Sequence, residues 1–200
     1  MRGFYFITDS NLSLNGNISD VKGAVSCGVK FIQYREKNAT TSFLYKEALI
    51  LRKICKGAKF IINDRVDIAL AVDADGVHLG KDDLPIKVVR KLLGKDKIIG
   101  ISVKNLKDAI YAQEQSANYI SIGPIFFTTT KKNAHKPVGI SIIKEIKKNI
   151  DIPVVAIGGI NLENAKSVIE AGADCICAIS AVIGKPNLKE IIKNFNNLFK

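Results

Sequence analysis

Short runs of apolar, β-prone residues recur along the whole chain. They are Phe4–Thr8, Phe31–Arg35, Lys59–Ile62, Gly76–Leu79, Ile98–Ser102, Tyr119–Ile122, Pro153–Ile157 and Cys175–Ile179. Eight runs in 200 residues give one strand per roughly 25 residues, the repeat of a compact (β/α)8 barrel. The runs are nearly continuous in apolar character, as expected of parallel strands covered by core on one face and helices on the other. Between them, apolar residues fall at helical spacing: Leu44, Ala48, Leu51 and Cys55 form one stripe, and Ile142, Ile143, Ile146 and Ile150 another.

A weak internal repeat supports the same architecture. Residues 26–31, 71–77 and 170–175 each read as helix end, turn and strand. Gly28 and Gly172 sit where a positive φ would close a helix, and Ser19 is placed to cap the first one. The tract from Asp9 to Asp20 reads as polar and turn-rich. An open doubly wound sheet is the competing fold, but it places a Gly-rich fingerprint after its first strand. Here that strand ends in Thr8-Asp9-Ser10. No linker or low-complexity tract interrupts the pattern. The fold class expected is therefore α/β, a single-domain (β/α)8 TIM barrel over residues 1–200.

Composition narrows the class only slightly. Hydrophobic residues make up 47% and charged residues 24%, ordinary values for a globular chain with one core. No stretch approaches the ~18 apolar residues of a membrane span, and Phe4–Thr8 is too short for a secretory signal. A cytoplasmic protein without membrane contact is expected. The four cysteines contain no Cys-x-x-Cys pair and read as reduced core thiols. The net charge of +11 suits either nucleic acid or small phosphorylated molecules. Its lysines are dispersed along solvated helix faces without interleaved aromatics, so no nucleic-acid partner is expected.

Chemistry gathers at one end of the strands. Gln33, Arg35 and Lys37 follow the second run and would share one face of an extended segment. An amide, a guanidinium fork and an ammonium together suit a diphosphate. Asn63 and Asp64 follow the third run and Asp83 the fourth; two carboxylates on neighbouring strands suit magnesium, which takes oxygen ligands. Asp82 competes with Asp83 for that role, or else caps the helix beyond Pro85. Ser102 ends the fifth run. Gly158-Gly159 after the seventh and Ser180 after the eighth match a barrel phosphate cradle, with the following helix adding its dipole. The long connection from Gly123 to Gly139 carries Phe126, Phe127, Thr128, Thr129, Thr130 and Lys131, and reads as a lid that packs over a ligand. His78 reads as a hydrogen-bonded structural residue, and His135 has no evident partner.

Taken in order, these motifs resemble the thiamine phosphate synthase family: Gln33 to Lys37, Ile62 to Arg65, Gly76 to Asp83, Gly100 to Ser102, Gly123 to Lys131, Ala156 to Ile160 and Ile179 to Ala181. The resemblance covers nearly the whole chain. It implies a magnesium-dependent transferase that joins a pyrimidine diphosphate to a thiazole phosphate, releasing pyrophosphate. Gln33, Arg35, Lys37 and Asn63 would then hold the pyrimidine diphosphate, with Tyr34 and Glu36 in the same segment. Asp64 and Asp83 would bind magnesium, and Ser102 would lie near the diphosphate. Thr128, Thr129 and Thr130 would meet the thiazole phosphate, with Lys131 on the diphosphate and Gly159, Ile179 and Ser180 forming the cradle. Arg35, Lys131 and Ser102 would act on the leaving group. Two departures stand out: Val103-Lys104 replaces a Thr-His pair, and Phe127 replaces a proline. A related thiazole tautomerase would need a histidine where Lys104 stands, and a noncatalytic phosphate-binding barrel would not need the two aspartates. A homodimer is left open.

Overall fold

The computed structural model describes residues 1–130 and 136–200. Among them β1 (Gly3–Ile7), α1 (Gly16–Ser26), β2 (Phe31–Tyr34), α2 (Thr41–Ile54), β3 (Lys59–Asn63), α3 (Val66–Ala71), β4 (Gly76–Leu79) and α4 (Ile86–Leu93) form the first half. The second half is β5 (Ile98–Val103), α5 (Leu106–Glu114), β6 (Tyr119–Ile122), α6 (Ser141–Lys147), β7 (Val154–Ile157), α7 (Ala165–Glu170), β8 (Cys175–Cys177) and α8 (Leu188–Asn197). Each strand pairs in parallel with the next, and β8 returns to β1 through Gly3↔Cys175 and Phe4↔Ile176, closing the barrel. This is the (β/α)8 fold expected from the spacing of the apolar runs.

Alternation along the strands sorts side chains into two layers. On β1, Phe4 and Phe6 face outward into the continuous layer between strands and helices, while Tyr5 and Ile7 face the barrel interior with Tyr119, Val155, Cys175 and Cys177. The outer layer is where the helices bury their stripes. Leu44, Ala48, Leu51 and Cys55 are all buried, as are Ile143, Ile146 and Ile150, with Ile142 at the margin. Phe195 of α8 stacks on Phe4, with ring centroids 4.9 Å apart. Gly28 and Gly172 follow the last residues of their helices at φ 78° and 107°, as the sequence pattern required. All four cysteines are free.

One local expectation is corrected. Ser19 does not cap α1, because the helix already begins at Gly16, with Asn15 as its cap residue. The first turns of α1 bury Asn17 and Asp20, so no apolar period announces the helix before Val21, and the tract looked like a turn.

The amino ends of the strands carry a repeated clamp. Asp75 Oδ2 accepts the backbone N–H of Phe60 at 2.9 Å, Asn118 Oδ1 that of Ile99 at 2.8 Å, and Asp174 Oδ2 that of Val154 at 2.8 Å. Each acceptor also takes a cation from the outer layer: Arg52 on Asp75, Arg90 on Asn118 and Lys147 on Asp174. The same Ala-Asx step therefore opens β4, β6 and β8 and ties each strand to its predecessor. This face is far from the strand ends where barrel chemistry is built, so its role is stability. Replacing Asp174 by Ala strands the Val154 N–H and should cost about 1–3 kcal/mol in a urea titration while leaving turnover at the wild-type level. A loss of turnover with unchanged stability would contradict that division of labour.

Candidate active site

At the carboxyl ends of the strands the barrel opens into a cavity of about 580 Å³. Its walls begin at β2. The pleat that turns Gln33 inward turns Tyr34 outward, so Gln33, Arg35 and Lys37 line the cavity and Tyr34 does not. Tyr34 is buried against the helix layer, where burial, more than the neighbouring Glu47, pushes its phenol well above the ordinary range. Glu36 is also absent from the wall; its carboxylate accepts the N–H of Asn38 at 3.0 Å.

Arg35 is held from β1. Thr8 Oγ1 accepts the Arg35 N–H at 2.8 Å and donates to the Arg35 carbonyl at 3.1 Å. The buried carboxylate of Asp9 lies 3.6 Å from the guanidinium. The sequence offered Asp9 only as part of a polar turn; a carboxylate directly after an apolar strand, on the rim side, was the available signal.

The two aspartates arrive from β3 and β4. The chain reverses sharply at Asp64: its φ is 61°, a left-handed value, and the Arg65 N–H bonds back to the Asn63 carbonyl at 2.7 Å. A β-carbon there is strained, and such strain gathers at functional positions. Asp83 is held by the Gly80 N–H, 2.6 Å from its Oδ2. The two carboxyl groups come within hydrogen-bonding reach of each other, and Lys37 Nζ sits 3.3 Å from Asp64 Oδ2. Desolvation first, and the Asp83 carboxyl second, push Asp64 above its usual range, with Lys37 opposing them. Two like charges facing each other in a partly buried place are suited to a cation between them. Asp82 reaches the wall too, but it is exposed and does not cap α4, whose cap residue is Pro85. Among the described residues no group of three or more His, Cys, Asp or Glu side chains converges, so further ligands to such an ion would come from substrate oxygens or water.

The opposite wall is built by β6 to β8. Thr128 and Thr130 line it, with the Thr128 hydroxyl donating to Thr130 at 3.3 Å, while Thr129 points to solvent. Phe126 packs down onto the core and Phe127 is 77% exposed, so the pair does not act as one apolar cover. Gly158 and Gly159 have φ of 100° and 65°, and a Cβ on either would collide with Pro124 or with the Phe126–Phe127 backbone. Glycine is what lets these two loops lie against each other. The Asn164 amide then ties the turn by donating to the Gly159 carbonyl at 2.9 Å. Ile179 and Ser180 complete this side. Lys131 and His135 lie outside the described residues.

The sequence reading did not foresee the floor. Tyr5, Tyr119 and His78 join Gln33 and Ser102 in a continuous line of hydrogen bonds across the barrel. His78 is thus hydrogen-bonded, as expected. The inward tyrosines were hidden in apolar strands, although a buried phenol ordinarily needs a polar partner.

A closed barrel whose carboxyl rim gathers cations, two carboxylates and a glycine-lined turn defines an enzyme acting on small phosphorylated molecules. Known proteins give the particular kind. Residues 4–182 match the model of the thiamine monophosphate synthase family. The chain is 50% identical over 198 residues to a thiamine-phosphate synthase of Methanosarcina barkeri, covering 98% of this chain and 90% of that one. It is 51% identical over 198 residues to the synthase of Methanosarcina mazei, covering 98% and 82%. A thiamine phosphate pyrophosphorylase structure from Pyrococcus furiosus superposes with a TM-score of 0.89 at 37% identity, over 98% of this chain and 95% of the other. The chain belongs to the thiamine monophosphate synthase family. It is a transferase that joins a pyrimidine diphosphate to a thiazole phosphate, giving thiamine phosphate and pyrophosphate.

Because Gly159 holds a left-handed φ against the backbone of the threonine loop, Gly159→Ala should cost about 1–3 kcal/mol of strain in urea melts. It should also raise the KM for the thiazole phosphate. Wild-type melting together with wild-type kinetics would show that this turn is not constrained.

Proposed function

We propose that the reaction is magnesium-dependent and that its two substrates meet between the two walls described above. Asp64 and Asp83 would hold the ion, Gln33, Arg35, Lys37 and Asn63 the pyrimidine diphosphate, with Ser102 beside the diphosphate. Thr128, Thr130, Gly159, Ile179 and Ser180 would take the thiazole phosphate. The observation that carries this reading is the approach of two carboxyl groups within the wall that also bears Arg35 and Lys37. Carboxylates at a diphosphate site repel the ligand unless a cation intervenes.

In the reaction, the bond between the pyrimidine methylene carbon and the diphosphate oxygen breaks, and the electron pair leaves with the diphosphate. The thiazole nitrogen then donates its lone pair to that carbon. When bound, magnesium would neutralise the departing diphosphate oxygens. Arg35, steered by Asp9, offers a fixed fork to the same group, and Lys37 a mobile charge. The remaining contribution is orientation: two walls of one barrel hold the nitrogen and the carbon in line. No protein base is required, because the attacking nitrogen carries no proton.

Two finer expectations join this proposal. No helix among the described residues is long and apolar enough to cross a membrane, and four unpaired cysteines suit a reducing cytoplasm. Val88 and Leu92, exposed one turn apart on α4 with Leu84 nearby, offer a homodimer a contact.

Asp64→Ala and Asp83→Ala should each abolish magnesium-dependent product formation in an assay with both substrates, with circular dichroism unchanged. Full activity in both variants would remove the metal assignment. Lys131→Ala should lower kcat by about tenfold or more, the order of one lost charge-assisted contact, with little change in the KM for the thiazole phosphate. Unchanged kcat would argue against any action of Lys131 on the leaving group.

A further inference from the structure

The line of hydrogen bonds on the cavity floor has a direction. Gln33 Nε2 donates to the Tyr5 hydroxyl at 3.0 Å, and the Tyr5 and Tyr119 hydroxyls are 2.7 Å apart. The Tyr119 hydroxyl lies 2.9 Å from His78 Nδ1, and His78 Nε2 lies 3.0 Å from Ser102 Oγ. The five groups come from β2, β1, β6, β4 and β5 in turn. Gln33, Tyr5, Tyr119 and His78 are all buried, and Gly100 lacks a Cβ where one would strike the Tyr119 ring. The barrel makes room for this line.

Each hydroxyl carries one proton, and a neutral imidazole carries one. A line of this kind therefore has two self-consistent orders, one the reverse of the other. Gln33 donating through Nε2 selects the order in which Tyr5 donates to Tyr119 and Tyr119 to His78 Nδ1. His78 must then carry its proton on Nε2 and give it to Ser102 Oγ. Ser102 accepts from within, so its own proton is turned to the cavity. Burial pushes the phenols of Tyr5 and Tyr119 well above their ordinary range, which keeps both as donors.

We propose that Tyr119 is a positioning residue that fixes His78 as the Nε2–H tautomer and so turns the Ser102 hydroxyl proton away from His78 and toward an anionic oxygen of the diphosphate. The step from Ser102 to diphosphate rests on the function proposed above; the tautomer rests on Gln33 donating through Nε2 to Tyr5. A free serine hydroxyl rotates and can accept as readily as donate. An anionic oxygen takes donors only, and a donor already oriented loses no reorganisation energy as charge builds on the leaving group.

The test is 15N-detected NMR of the imidazoles in the full chain, which has two histidines, assigned by difference with His135→Gln. His78 is expected to be protonated on Nε2 alone. Tyr119→Phe should lose that signature, whereas Tyr5→Phe should keep it, because Tyr119 still donates to His78. Tyr119→Phe should also lower kcat by about tenfold, the scale of one weakened charge-assisted hydrogen bond, with the KM for the thiazole phosphate little changed. A wild-type ring protonated on Nδ1, or on both nitrogens, overturns the proposal, and this measurement needs no variant to fold. So does a Tyr119→Phe enzyme whose ring signature changes while kcat does not. Failure of the underlying reading shows separately, as a Ser102→Ala enzyme with wild-type kinetics.

Discussion

Two carboxyl groups drawn together at the mouth of a protein core cost free energy that something must offset. Asp64 and Asp83 meet in this way, and the surrounding structure enforces the meeting. Asp64 is itself the strained left-handed residue, Asp83 is gripped by the Gly80 N–H, and Lys37 offsets part of the repulsion. Burial adds to the penalty on the charged form of Asp64. A fold that merely needed solubility at its rim would let these side chains part into solvent. Keeping them together makes sense if a cation and a polyanion complete the charge balance, and on that constraint the proposed use of Arg35, Lys37 and Ser102 depends.

The barrel separates this costly arrangement from what stabilises it. At the amino ends of the strands, Asp75, Asn118 and Asp174 satisfy backbone N–H groups and cations together. At the carboxyl ends lie the left-handed Asp64, the glycine pair of β7 and the polar floor. Stability and function thus occupy opposite faces of one closed sheet, joined by strands only three to six residues long. The floor is an intermediate case. Four of its five linked side chains, all but Ser102, are buried, yet all five line the cavity.

Much of this was legible in the sequence because the fold repeats a unit. Eight recurring apolar runs specify the strands, and the stripe Leu44, Ala48, Leu51, Cys55 is unambiguous as a helix face. Placing Gln33, Arg35 and Lys37 on one side needed only the two-residue period of an extended chain. That same period puts Tyr34 on the other side, and reading the segment as a block obscured it. Ser19 reads as a cap from sequence because α1 buries polar residues in its first turns, where hydrophobic spacing carries no signal. Tyr5 and Tyr119 were illegible for a related reason: an aromatic in an apolar strand looks like core until its hydroxyl is seen to have a partner across the barrel. The grip of Thr8 and Asp9 on Arg35 joins residues 27 and 26 positions apart in the chain, and local patterns do not report such contacts.

The central claim is that cation and diphosphate complete one electrostatic site. Calorimetric titration of inorganic pyrophosphate into the protein, with and without magnesium, tests it most directly. If the carboxylates and the cationic side chains surround a shared ion, magnesium must tighten pyrophosphate binding, and pyrophosphate must tighten magnesium binding by the same factor. Loss of both effects in the Asp64→Ala, Asp83→Ala double variant is the predicted companion result. Pyrophosphate that binds the wild-type protein equally well without magnesium would contradict the account.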